Sequence, residues 1–159
     1  MATIPRLSWP ALACCALAAF IPKAEAEPTP THGQLLYVPV YSEVPYGDKG
    51  LNLNLTATLS LRNTDLKNPI TVKRIDYYSE SGTLIRAYLK QPANLRPLAS
   101  SEAIVKESDR SGGISASFLV EWESAAPVSA PLVEAVMVNS TYNQGIAFTS
   151  PSRVLEERR

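Results

Sequence analysis

Cysteine is almost absent from the 159-residue chain, and its two copies, Cys14 and Cys15, sit together in an apolar stretch near the start. Histidine occurs once, as His32. A Ser-His-Asp or Cys-His nucleophile needs a positioned imidazole, for which His32 in the flexible lead-in is poorly placed, and a zinc site needs several Cys or His ligands, which argues against both chemistries. Glycine-rich phosphate loops of the nucleotide-binding kind are missing as well. Basic and acidic residues balance at 15 each, with no Lys/Arg cluster to neutralise phosphates, which argues against nucleic-acid binding. The longest apolar run, Leu7 to Ile21, is interrupted by Ser8 and Pro10. It falls short of the roughly 20 apolar residues that a membrane-spanning helix requires. No cofactor and no metal are expected.

That run instead belongs to an export signal. Met1 to Arg6 is a short positive n-region, Leu7 to Ile21 the apolar h-region, and Ala24-Glu25-Ala26 places small residues at −3 and −1 of a cleavage site. Residues 1–26 therefore read as a secretory signal peptide and imply a periplasmic or secreted protein. A second reading lipidates Cys14, after Ala11-Leu12-Ala13, and would give a membrane-anchored lipoprotein. Cleavage removes Arg6, Lys23 and Glu25, leaving 13 basic against 14 acidic residues and a net charge of −1. It also removes both cysteines, so the remaining 133 residues must be held by a hydrophobic core rather than by disulfides.

What the chain does have is alternation. Leu51, Leu53, Leu55, Ala57, Leu59 and Leu61 alternate with Asn52, Asn54, Thr56, Thr58, Ser60 and Arg62, a period of two that predicts a strand with one face on a core. Ile70, Val72, Ile75 and Tyr77 alternate with a slip at Lys73-Arg74, which a β-bulge would absorb. Ser79 to Gly82 predicts a hairpin turn, with Thr83 to Leu89 returning. Leu35 to Tyr41 predicts a strand that Pro39 confines to a sheet edge. Ala99 to Glu107, Ile114 to Trp122, Leu132 to Asn139 and Gly145 to Thr149 supply the rest. Leu132 to Asn139 is apolar on both phases except Glu134, which predicts a central strand covered on both sides. About eight strands and no helical period define an all-β protein, an antiparallel immunoglobulin-like β-sandwich. The organisation is a signal at 1–26, a flexible lead-in at 27–33, the sandwich at 34–154 and a charged tail at 155–159.

Three features are candidates for function. The loop Ser108-Asp109-Arg110-Ser111-Gly112-Gly113 could offer backbone N–H groups as a nest, although loop glycines more commonly serve backbone geometry. Tyr41 and Tyr46, with Tyr37, Tyr77 and Tyr78, could form an aromatic platform for a sugar or peptide, or pack along the core with their hydroxyls at its rim. Glu134 could be a functional carboxylate or the partner of Arg62, Arg74 or Arg86. The candidate binding residues are thus Tyr41, Tyr46, Ser108, Asp109, Ser111, Gly112 and Gly113, and no catalytic residue is assigned.

Blocks of the chain then resemble a known family. Tyr37-Val38-Pro39-Val40-Tyr41-Ser42, Ala57 to Thr64, Asp76-Tyr77-Tyr78, Pro97-Leu98-Ala99-Ser100, Glu107-Ser108-Asp109, Gly112-Gly113, Phe118 to Trp122, Glu134 to Met137 and Gly145 to Ser150 look like the bacterial domain of unknown function 3124 (DUF3124). The resemblance spans most of Gln34 to Val154 and implies an exported bacterial protein, bringing no activity with it. The layout is distantly similar to the β-sandwich of the sensory rhodopsin transducer family. The expected function is a non-enzymatic module at the periplasm or cell surface that binds an envelope protein, a peptide or a glycan. The alternative is a homo-oligomeric structural or envelope-stress protein. A third reading is a hydrolase using a carboxylate pair such as Glu107 with Asp109 or Glu121 with Glu123.

Overall fold

The computed structural model describes residues 29–140 and 145–159; the segment expected to be a signal peptide, with the candidate lipidation position Cys14, lies outside them. Among the described residues twelve strands form: β1 (Thr31–Val40), β2 (Glu43–Tyr46), β3 (Leu51–Asn54), β4 (Thr56–Arg62), β5 (Ile70–Tyr78), β6 (Leu84–Ala87), β7 (Ala93–Leu95), β8 (Ser100–Val105), β9 (Ala116–Val128), β10 (Leu132–Asn139), β11 (Ile146–Pro151) and β12 (Arg153–Arg158). A six-stranded sheet runs β12-β1-β9-β5-β6, with β7 beside the other half of β5. A four-stranded sheet runs β11-β10-β4-β8, and β2-β3 is a separate hairpin. Every pairing is antiparallel. The protein is an all-β sandwich.

Alternation explains why the two large sheets close on each other. Leu36, Val38 and Val40 from β1, Val72, Ile75 and Tyr77 from β5, and Phe118, Val120 and Trp122 from β9 face inward from one sheet. Ala57, Leu59 and Leu61 from β4, Ala103 and Val105 from β8, and Val133, Ala135 and Met137 from β10 meet them from the other. Strands with period-two apolar residues can satisfy one face only by such a layer on layer arrangement. The Trp122 indole is fully buried, and its Nε1 has no hydrogen-bond partner among the described residues.

The expected bulge is present. The register of β5 against β9 shifts between Val72, opposite Trp122, and Arg74, opposite Glu121, leaving Lys73 as the extra residue. The insertion returns Ile75 and Tyr77 to the core face that Ile70 and Val72 occupy.

Five local expectations need correction. The strand containing Pro39 is internal, flanked by β9 and β12. Pairing with β12 ends at Tyr37, so Pro39 stands where that neighbour no longer reaches and its missing N–H leaves no gap in the β12 ladder. The long leucine strand is two strands: β3 pairs with β2, β4 enters the four-stranded sheet, and Leu51 is exposed. The lead-in is ordered from Thr31, which is buried and donates its hydroxyl to the Arg158 carbonyl at 2.6 Å. The charged tail is β12, an edge strand held on β1. Strand β10 is central, but only Val133, Ala135, Met137 and Asn139 are buried, while Leu132 and Val138 are exposed. Its outer face is therefore open, and Glu134 lies half-buried on that face.

Candidate functional site

One end of the sandwich gathers the loop between β8 and β9, the β5–β6 turn and the segment joining β1 to β2. The loop is tied down at several points. Asp109 accepts from Arg86 Nη2 at 3.2 Å, and Arg110 Nη2 reaches the Glu43 carboxylate at 2.7 Å. The Glu80 N–H donates to the Gly112 carbonyl at 2.9 Å, while the Glu80 carboxylate accepts the Ile114 N–H at 3.1 Å. Asp109 also accepts from the N–H and hydroxyl of Ser111, and these bonds, ahead of Arg86, hold its carboxyl below the usual aspartate value.

The two glycines have distinct steric reasons. Gly113 adopts φ 74°, which favours glycine, and its N–H closes a turn onto the Arg110 carbonyl at 3.2 Å. Gly112 is buried against the Tyr77 hydroxyl, and a Cβ there would also lie 2.7 Å from Ala116 Cβ. Below this contact the hydroxyls of Ser42 and Tyr77 share a buried 2.8 Å hydrogen bond, and burial pushes the Tyr77 phenol up. Of the N–H groups proposed for a nest, those of Asp109, Ser111 and Gly113 are thus spent on the Lys106 carbonyl, the Asp109 carboxylate and the Arg110 carbonyl.

The structure disperses the tyrosines. Tyr77 is in the core, 5.1 Å from Phe118 between ring centroids. Tyr41 packs edge-on against Phe148 of β11 at 5.8 Å, and Tyr46 is exposed on the β2–β3 hairpin. Tyr88, which sequence reasoning did not single out, contacts Phe118 at 5.6 Å, lies under the Arg86 guanidinium and donates its hydroxyl to the Ile104 carbonyl at 2.9 Å. That last bond covers part of the β8 edge. His32 Nδ1 lies 3.2 Å from the Ser124 carbonyl within β1 and β9.

Of the two carboxylate pairs, Glu107 accepts from the Asn139 amide at 3.2 Å while Asp109 meets Arg86, and both members of the other are bound to cations. Glu121 meets Arg74 at 3.0 Å and Arg158, and Glu123 meets Lys73 at 3.0 Å and Arg158 at 3.4 Å. With Arg74–Asp76, these pairs lace the outer face of the six-stranded sheet. Glu134 makes no ion pair among the described residues. Opposite it in register stand Ser60 on β4 and Pro151 on β11, and Arg62, Arg74 and Arg86 are engaged elsewhere.

The outer face of the four-stranded sheet has the opposite character. Registers align Ile104, Thr58, Val136 and Thr149 in one row, and Glu102, Ser60, Glu134 and Pro151 in the next. Thr56, Val138 and Ala147 form a third row, and Ser100, Arg62 and Leu132 a fourth. Ile104 is 45 %, Leu132 48 % and Val138 41 % exposed. At the end with Arg62 stands Leu98, 70 % exposed and at φ 60°, the one non-glycine residue with positive φ among those described. It occupies the third position of a turn closed by the Ala99 N–H on the Arg96 carbonyl at 3.0 Å, with Pro97 before it. Ser60, Arg62, Leu98, Ser100, Ser101 and Glu102 line a depression there.

These features define an antiparallel β-sandwich with one ion-paired outer face and one aliphatic and hydroxyl-bearing outer face. Residues 33–155 match the family described as Protein of unknown function (DUF3124), and the chain belongs to that family. No curated protein matches it. Among solved structures it is similar to the crystal structure of Thermotoga maritima 1070, at 14% identity and a TM-score of 0.44. That match covers 78% of this chain and 96% of the other. At that level the likeness says nothing further of fold or function.

Proposed function

We propose that the chain is an exported, non-enzymatic interaction module of the cell envelope, acting through the outer face of its four-stranded sheet. The observation that carries the reading is the contrast between the two outer faces. One carries the ion pairs of Lys73, Arg74, Asp76, Glu121, Glu123 and Arg158 across its middle, with Leu84, Val154 and Leu155 exposed only on its edge strands; the other presents Ile104, Leu132, Val136 and Val138 among threonines and serines, with no ion pair among the described residues. Leu98 adds an exposed leucine held in a conformation that costs a non-glycine residue about 1–2 kcal/mol, strain of the kind that collects at binding surfaces. Asp109, whose carboxyl the Ser111 and Arg86 contacts hold below the usual aspartate value, supports the non-enzymatic reading at that position, because a general acid needs a carboxyl that can hold a proton near neutral pH.

The test is retention of envelope components on immobilised protein, read by mass spectrometry and glycan analysis, for the wild type and Val138→Glu side by side. The reading expects a reproducible set, self included, that Val138→Glu loses. Equal retention by both proteins would refute it.

A further inference from the structure

We propose that the aliphatic outer face of the four-stranded sheet is completed by a second copy of this chain, the two sheets packing face to face about a two-fold axis parallel to β4 and β10. The proposal rests on the interaction-module reading and names its partner.

Charge complementarity selects the occupant. The charges of the face are few and placed unequally: Glu102 and Glu134 flank Ser60 in one row, and Arg62 lies in the neighbouring row between Ser100 and Leu132. Within one chain Arg62 spends its Nε on the Ser60 hydroxyl at 3.1 Å and pairs with neither glutamate. A two-fold axis between β4 and β10 lays each β4 over β10 of the second copy. Arg62 then lies above Leu132 and next to Glu134 of that copy, and the same pair forms again on the other side of the axis. Thr58 and Val136 meet near the axis, and Ile104 and Leu98 sit toward the flanks. An isologous interface of this kind is self-complementary, as a closed dimer requires.

The area agrees with a reversible dimer. Four strands about 4.8 Å apart, with eight residues of about 3.3 Å along β10, give a face of roughly 500 Å² per copy and about 1,000 Å² for the pair. That stands at the lower bound for a specific interface, so a reversible rather than an obligate dimer is expected. Aligned packing of twisted sheets gives the geometry, as between the two layers of the sandwich itself.

The decisive measurement is sedimentation velocity over a wide concentration series, using protein produced from the full 159-residue chain. The wild type is expected to show a monomer–dimer equilibrium. Val138→Glu, at an exposed position, should weaken it roughly tenfold or more by placing an unpaired charge in the contact, with an unchanged thermal melt. Arg62→Glu should weaken it similarly, and Arg62→Glu combined with Glu134→Arg should restore it, a rescue that general surface changes would not give. A monomer at every concentration overturns the proposal, as does a dimer insensitive to Val138→Glu or lacking the rescue. If the chain is monomeric yet retains another envelope component that Val138→Glu loses, the dimer is refuted and the interaction-module reading stands.

Discussion

Substituting Gly112 by alanine would test whether this loop glycine exists for packing. Gly112 has no positive φ, so alanine meets no backbone penalty there and the effect is steric alone. The new methyl would collide with the Tyr77 hydroxyl and lie 2.7 Å from both Tyr77 Cζ and Ala116 Cβ, all in the buried end of the sandwich. Overpacking of this kind destabilises by about 1–3 kcal/mol. Displacing the Tyr77 ring also breaks the buried Ser42–Tyr77 hydrogen bond, and stranding those hydroxyls adds about 1–3 kcal/mol. A total near 3 kcal/mol is expected, which for a domain of this size lowers Tm by about 10–15 °C. Thermal melts followed by circular dichroism would read it, with urea titration as a check on the free energy. The diagnostic control is the Tyr77→Phe background, where the hydroxyl is already gone and alanine should cost at least about 1 kcal/mol less. A Gly112→Ala Tm within about 3 °C of the wild type would refute the reasoning. So would an equal loss in both backgrounds.

Leu98→Gly should stabilise the monomer by roughly 0.5–1 kcal/mol, because relief of the left-handed strain at φ 60° exceeds the added freedom of the unfolded glycine. The same change should weaken self-association, and a lower Tm would contradict it. In acid, Asp65 and Asp109 are the groups to watch. Asp65 accepts the Lys67 and Asn68 N–H groups at 2.8 Å each, which hold its carboxyl below its ordinary 3.8. Because these folded values are depressed, the stabilisation is complete above the unfolded pKa and is lost as pH falls through the folded ones. Tm should stay level down to about pH 5 and drop below about pH 4, with a shallower fall in Asp65→Asn; identical acid limbs would count against the assignment. Trp122→Phe should cost less than half the roughly 3–5 kcal/mol of a large-to-alanine core change, since it removes the unpartnered buried Nε1 along with some volume. Urea midpoints of Trp122→Phe and Trp122→Ala decide this.

Local pattern carried the sequence reading where one face decides the strand. The alternation of Ala57, Leu59 and Leu61, the bulge at Lys73 and the turn before Leu84 depend on residues near in sequence, and all three are present. The readings that failed depend on pairing between distant segments. Arg153 to Arg158 has no apolar period, and its strand exists because the far edge of β1 offers it a ladder. Leu51 keeps the alternation of its neighbours but belongs to a hairpin outside the sandwich, so its side chain has no opposing layer. Glu134 sat among apolar residues on both phases, and only the position of the opposite sheet tells that Val133 and Ala135 face the core. At the candidate site the glycines of the loop were legible as backbone devices, at least for Gly113 with its positive φ. The partnership of Asp109 with Arg86 was not, because the bulge and the hairpin that bring Arg86 there set its position across 23 residues. Likewise the tyrosines are scattered because strand parity and sheet membership, which composition does not reveal, aim each of them differently.

The position of β1 has a kinetic consequence. It is the earliest strand of the sandwich, yet its ladders go to β9 and β12, with Leu36 opposite both Val120 and Val154. A chain emerging N-terminus first from a ribosome thus holds β1 without its neighbours until most of the domain has followed. Contacts of such sequence separation slow folding toward the millisecond-to-second range. The six-stranded sheet is accordingly completed late, once β12 has reached the far edge of β1.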